Sequence, residues 1–262
     1  MAQNKTAKYP ISSVVRALKV LKLFDQEHRQ MTLTDISQLA EVNKSSVLRI
    51  LDSLEAEGFV RRSENKKYML GIELFKLGNS GYEFADFKNI AYPFVKKIVE
   101  ETGLMAHIGI LEDGQVLVIS KIWPQNSMDT MTLVSVVGGV VPAHCTGVGK
   151  VLLAYSDLQT RLAVLDHCQF EAYTPRTITS REVLEEELQS IRQRGYAHND
   201  GEHEAYIRCT TYPIFNARGK LLAAISLTGL EQIVAEMDPQ TIHTALKRVT
   251  QELQEETNLY NL

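Results

Sequence analysis

NKSSVLRILDSLEAEGFVRRSENKKYMLG, residues 43–71, decides how the front of this chain folds. Asn43 is suited to cap a helix and Gly58 to stop it. Between them Val47, Ile50, Leu51 and Leu54 recur with the period of one apolar helix face. The other face opens on Lys44, Ser45, Ser46 and Arg49, with no acid before Asp52. A solvated helix with no partner normally mixes signs. Short hydroxyls and cations on its first turns suit a helix that enters the major groove between phosphates. Beyond Gly58, residues 59–62 and 67–70 read as two short strands about a polar turn. That hairpin carries Arg61, Arg62, Lys66 and Lys67.

Working outward, Val14, Ala17, Leu18, Leu21 and Phe24 fall on one face of an upstream helix, and Ile36, Leu39 and Ala40 on a short second one. Thr32 or Thr34 caps that second helix, and Asp35 is spaced to close a capping box with Thr32. Glu41 occupies the tight turn before the third helix, where a left-handed conformation costs a non-glycine residue about 1 kcal/mol. Three helices and a basic hairpin predict a winged helix-turn-helix over residues 1–70. A basic helical bundle that binds protein is the bland alternative, and it must also explain the turn spacing and the basic hairpin.

Charge follows the same division. Residues 1–70 hold 12 Lys/Arg against 8 Asp/Glu, a net of +4, whereas residues 71–262 hold 16 against 24, a net of −8. A basic front on an acidic body fits a small nucleic-acid-binding domain joined to a larger module. The hydrophobic and charged fractions, 44% and 23%, are those of an ordinary globular protein. No apolar run approaches the ~18 residues of a membrane helix, and the first residues lack an apolar signal core. Cys145, Cys168 and Cys209 are odd in number and widely spaced, as expected of reduced thiols in a cytoplasm.

Residues 71–85 read as a linker helix starting at Leu74, Phe75 and Leu77, and residues 86–262 as a second domain. There Phe87, Ile90, Ala91, Phe94, Val95 and Ile98 continue a helical period, and Gly103 ends it. From Ala106 the period switches towards two. A hairpin is expected about 112–115, a strand over 131–137, helices over 146–155, 157–167 and 180–194, and a second hairpin about 216–219. A final amphipathic helix carries Ile242, Ala245, Leu246, Val249 and Leu253. Strand pairs mixed with helices predict an α+β domain with an antiparallel sheet.

The stretch AHCTGVGKVLLAY, residues 143–155, tests for a nucleotide enzyme. A Walker loop needs Gly where His144 stands and Ser or Thr where Val151 stands, and the dinucleotide fingerprint needs Gly at Leu152. What remains is a glycine-rich helix start, a place where N–H groups and the helix dipole can receive an anion, or simply a turn capping a packing helix. Pairing Cys145 with His144, Cys168 with His167 or Cys209 with His203 gives no zinc spacing, and Cys is also a common small buried hydrophobe. The acids of DGEHEAY, residues 200–206, have no catalytic spacing. No cofactor is expected.

Six segments carry a likeness: SVVRALKVLKLFDQ, the third helix with its wing, YMLGIELFKLG, PAHCTGVGKVLLAY, RGYAHNDGEHEAYIRC and PIFNARGKLLAAISLTG. In this order the chain resembles the IclR family of bacterial transcriptional regulators, over nearly its whole length. The resemblance implies an N-terminal winged helix and a GAF-like effector domain. It also implies homodimers or dimers of dimers, and operator affinity that a small metabolite changes. It places a small carboxylate or sugar acid against the backbone of Gly147 and Val148, with further contacts at Cys209, Ser226, Thr228 and Asn199, where the family usually has a carboxylate. The function expected is an effector-responsive, DNA-binding regulator of a catabolic operon, a repressor rather than an activator, and not an enzyme. The rivals are an enzyme acting on a small acid through the second domain and a protein-binding adaptor.

Overall fold

The computed structural model describes residues 9–25, 27–81, 83–125 and 135–259. The chain divides into two compact units, residues 3–85 and 86–262.

The first unit holds α1 (Ser12–Leu21), α2 (Leu33–Ala40), α3 (Lys44–Ala56), strands β1 (Val60–Arg62) and β2 (Tyr68–Leu70), and α4 (Ile72–Gly81). Thr32, not Thr34, caps α2. Its hydroxyl accepts from the Asp35 N–H at 3.2 Å while the Asp35 carboxylate accepts from the Thr32 N–H at 2.8 Å. Glu41 does take the left-handed conformation, at φ 55°, and so carries the expected strain. Asn43 caps α3 by accepting from the Ser46 N–H at 2.9 Å. The wing strands pair antiparallel, and Met31 adds a bridge to Tyr68 through N–H···O bonds of 3.0 and 2.8 Å. The core gathers Val20, Phe24, Met31, Ile36, Val47, Leu51, Val60 and Tyr68.

The apolar face expected of α1 is partly corrected. Phe24 is buried and Ala17 and Leu21 are partly so, but Val14 and Leu18 are about half exposed and Val20 is fully buried. The helix is turned so that Ala17, Val20 and Phe24, spaced three and four apart, face the core, which leaves Val14 and Leu18 on the flank.

The second unit begins within α5 (Glu83–Thr102), which buries Phe87, Ala91, Val95, Ile98 and Val99. Strands follow: β3 (Met105–Glu112), β4 (Gln115–Ile122), β5 (Val140–Val141), β6 (Ala197–Asp200), β7 (Ile207–Phe215) and β8 (Leu221–Leu230). They form one antiparallel sheet in the order β5-β4-β3-β8-β7-β6, so the molecule is α+β. Asp113 and Gly114 turn the β3–β4 hairpin at φ 47° and 76°, the conformation an Asp-Gly turn favours. The strand expected over 131–137 falls largely on residues outside the described ones. Ser135 to Val137 are not strand, and the edge strand is β5.

Helices α6 (Gly147–Tyr155), α7 (Leu158–His167), α8 (Arg181–Arg194), α9 (Glu231–Glu236) and α10 (Pro239–Leu259) complete the unit. Thr146 and Asp157, expected as first helical residues, are instead N-caps, and Ser180 caps α8, each accepting a backbone N–H from three residues on. Residues 147–154 of α6 are all buried, against β3, β6, β7, β8 and α8. Successive β7 side chains point to opposite faces. Cys209 and Thr211 lie against Gly147 of α6, while Tyr212 meets His243 of α10 at 2.9 Å. All five residues expected to face inward from α10 are buried.

Candidate functional site

In the first unit, Lys44, Ser45 and Arg49 are exposed on α3 and Ser46 is half-buried. The Ser45 hydroxyl donates to the same Asn43 oxygen that caps the helix, at 2.8 Å. Arg61, Lys66 and Lys67 are exposed on the wing, and Lys66 turns the hairpin at φ 58°. Arg62 differs from them. Its guanidinium donates to the Tyr68 hydroxyl at 2.5 Å, lies 4.7 Å from that ring's centre, and stands 3.8 Å from both Asp52 and Glu55. It braces the wing against α3, and two carboxylates offset its charge.

In the second unit, one cavity brings together Gly147, Val148, Asn199, Cys209, Ser226 and Thr228 from α6, β6, β7 and β8. Its volume is about 70 Å³, room for several waters. The backbone must come close on one side. A Cβ at Gly147 would stand 2.3 Å from the Thr211 hydroxyl and 2.8 Å from the Cys209 sulfur. At Gly109 a Cβ would stand 2.5 Å from Val148 Cγ1, so this glycine lets the Val148 side chain settle onto β3.

The start of α6 orders its donors. The Thr146 hydroxyl accepts from the Gly149 N–H at 3.1 Å and donates to the Pro142 carbonyl at 2.7 Å. The Thr146 carbonyl accepts from the Lys150 N–H at 2.9 Å. The two first-turn amides that the cap residue does not satisfy are therefore those of Gly147, whose N–H is directed at the Cys209 sulfur, and Val148.

Two side chains near the cavity hold the frame together. Lys150 does not line the cavity. It is 1% exposed and donates to Glu202 at 2.5 Å and to the His198 carbonyl at 2.8 Å, tying α6 to β6. Burial pushes the Glu202 carboxyl up, while the Lys150 charge holds it down. Asn199 lines the cavity with its polar atoms already engaged. Its amide donates to the Cys145 carbonyl at 2.6 Å, and its oxygen accepts from the Gly201 and Glu202 N–H groups at 3.1 and 3.0 Å. It joins the loop before α6 to the loop after β6.

His107, Ser135 and His203 also line the cavity and were missed. His107 is 7% exposed, with Nδ1 3.4 Å from the Thr228 hydroxyl and Nε2 3.0 Å from the Ser135 hydroxyl. Burial and the nearby Lys121 charge push its pKa down to about 3. The one available signal was a lone polar residue in the apolar run 104–111. Its pairing with Ser226 across β3 and β8 is a matter of register that the sequence does not print.

The thiols are poor nucleophiles. Burial pushes Cys145 up to about 12 and raises Cys168 and Cys209 as well, whereas a reactive thiol needs a lowered pKa. His144 is held elsewhere, 3.0 Å from the Glu171 carbonyl.

Comparison with known proteins agrees with this division. The family profile described as "IclR helix-turn-helix domain" matches residues 13–64, and that described as "Bacterial transcriptional regulator IclR C-terminal" matches residues 83–255. The chain is 33% identical over 229 residues to the HTH-type transcriptional regulator XynR of Escherichia coli (strain K12), covering 87% of this chain and 90% of that protein. It is 29% identical over 222 residues to the transcriptional repressor IclR of the same organism, covering 84% and 80%. An IclR homolog from Microbacterium hydrocarbonoxydans, solved in complex with 4-hydroxybenzoate, shares the fold at a TM-score of 0.84 with 23% identity, covering 93% of this chain and 98% of that one. These relatives are named as regulators of transcription, some of them repressors, and not as enzymes. The chain belongs to the IclR family of bacterial transcriptional regulators.

Proposed function

We propose that this protein is a cytoplasmic, effector-responsive repressor of a catabolic operon. In this reading residues 1–70 bind operator DNA, residues 71–85 link the domains, and a small carboxylate or sugar acid binds within residues 86–262 and changes operator affinity. Lys44, Ser45, Ser46 and Arg49 enter the major groove. Arg61, Lys66 and Lys67 hold phosphates, and Arg62 keeps the wing at its angle. Two such units act on paired half-sites in a homodimer or dimer of dimers.

The observation that carries the effector reading is the cavity at the start of α6. Two amides that the cap residue does not satisfy and the buried hydroxyls of Ser226 and Thr228 line it together. A carboxylate there gains N–H bonds and favourable dipole energy. Gly147, Val148, Ser226 and Thr228 act as direct contacts. Cys209 supplies a small wall, and Asn199 shapes the site by holding the two loops together.

A thermal-shift screen of small organic acids tests this. An effector at 100 times its Kd stabilises by roughly 2.7 kcal/mol. Val148→Pro deletes one amide in the first turn, where proline is tolerated. The variant should fold and lose the shift. A hit that stabilises both proteins equally would place the ligand elsewhere.

A further inference from the structure

Part of the cavity lining is a connected row of uncharged polar groups. The Ser135 hydroxyl lies 3.0 Å from His107 Nε2, His107 Nδ1 lies 3.4 Å from the Thr228 hydroxyl, and that hydroxyl lies 3.3 Å from Ser226. The last two separations are at the long end of hydrogen bonding. A hydroxyl has one donor and two acceptor sites, so this row has capacity that its own contacts do not use. His107, Ser226 and Thr228 are nevertheless buried, and buried polar groups that lack good partners are costly.

Charge narrows what can complete the row. Among the described residues no Lys or Arg lines the cavity, whereas Glu204 does. Lys121, whose charge acts on His107, donates to the Ser135 carbonyl at 2.8 Å and lies over the Trp123 ring. His107 remains neutral under neutral conditions. A second carboxylate placed on this wall would meet the Glu204 charge as well as that of Lys121, whose ammonium is already held at the Ser135 carbonyl, and an aliphatic tail would cover the row without bonding to it.

From this geometry we infer that His107 selects the effector, its Nδ1 exchanging the long 3.4 Å contact with Thr228 for a hydrogen bond to an uncharged hydroxyl or carbonyl oxygen of a monocarboxylate whose acid group sits at the start of α6. His107 thereby becomes a specificity-determining residue, and dicarboxylates and unsubstituted alkanoates are disfavoured. The inference rests on the effector reading above and adds a residue and a ligand chemistry to it.

Matched acids test it: lactate and pyruvate against propionate, gluconate against hexanoate, and succinate as the dicarboxylate, each titrated calorimetrically into the full-length protein. The wild type should prefer at least one oxygenated acid over its plain counterpart by tenfold or more, and bind succinate more weakly than that acid. His107→Leu should bring that ratio close to one. His107→Gln keeps a donor and an acceptor and should retain part of the preference, which serves if the leucine variant does not fold. A preference that survives in His107→Leu at the wild-type ratio overturns the inference, as does a wild-type preference for the plain acids or succinate. If Val148→Pro leaves the binding of every acid unchanged, or the wild type binds none of them, the effector reading itself fails, and the inference falls with it.

Discussion

His107 also makes a stability prediction that needs no ligand. Its pKa is pushed from about 6.5 in the unfolded chain to about 3 in the folded one. A base with a lowered pKa favours the folded state fully above its unfolded value, and that contribution is lost as pH falls from 6.5 towards 3. Each pH unit in this window costs ~1.36 kcal/mol. Between pH 6.5 and 4.5 the wild type should therefore lose ~2–3 kcal/mol that His107→Gln, with nothing to protonate, does not lose. His198, His203 and His243, which burial also lowers, are present in both proteins, so their contribution cancels in the comparison. Urea unfolding followed by the emission of the single tryptophan, Trp123, reports on the unit that holds the site. The reasoning fails if the two stability curves run parallel over this range, which would mean that His107 is solvated or that protonation finds a partner.

Other substitutions probe other parts of the account. Lys150→Met leaves Glu202 buried without its cation and should cost ~3–5 kcal/mol in calorimetric unfolding. Adding Glu202→Leu should restore most of that, and two losses that simply add would deny the coupling. Glu41→Gly relieves the left-handed strain and should stabilise by about 0.5–1 kcal/mol, with a lower melting temperature as the contrary result. Arg49→Ala should cost ~1–3 kcal/mol of operator binding and relax the choice of base at one position. Lys67→Ala should instead weaken all duplexes alike and reduce the salt slope by about one, and binding isotherms unchanged for both would contradict the assigned DNA face.

The sequence was most informative where local chemistry alone sets the structure. The cap at Asn43, the capping box of Thr32 and Asp35, the Asp113-Gly114 turn and the α10 stripe were legible because each depends on residues close in the chain. The face of α1 was less so. Apolar residues lie on more than one of its sides, and tertiary packing chose Val20 over Val14 and Leu18. The candidate site was legible only through the resemblance, which named six residues that meet in one cavity. What it could not convey was orientation. Asn199 spends its amide on the Cys145 carbonyl. His107 went unnoticed because its partners, Thr228 and Ser135, are 121 and 28 residues away.

The central claim is that an acid bound near Gly147 and Val148 changes the affinity of the winged helix for DNA. The most direct test is a titration of operator binding, using the protein's own upstream region, against a stabilising acid from the thermal-shift screen. Operator affinity should change by a factor of about 5–150 at saturating acid, and saturating operator should change the acid's affinity by the same factor. Operator affinity that stays constant across the full range of acid, while the acid demonstrably binds, would contradict it.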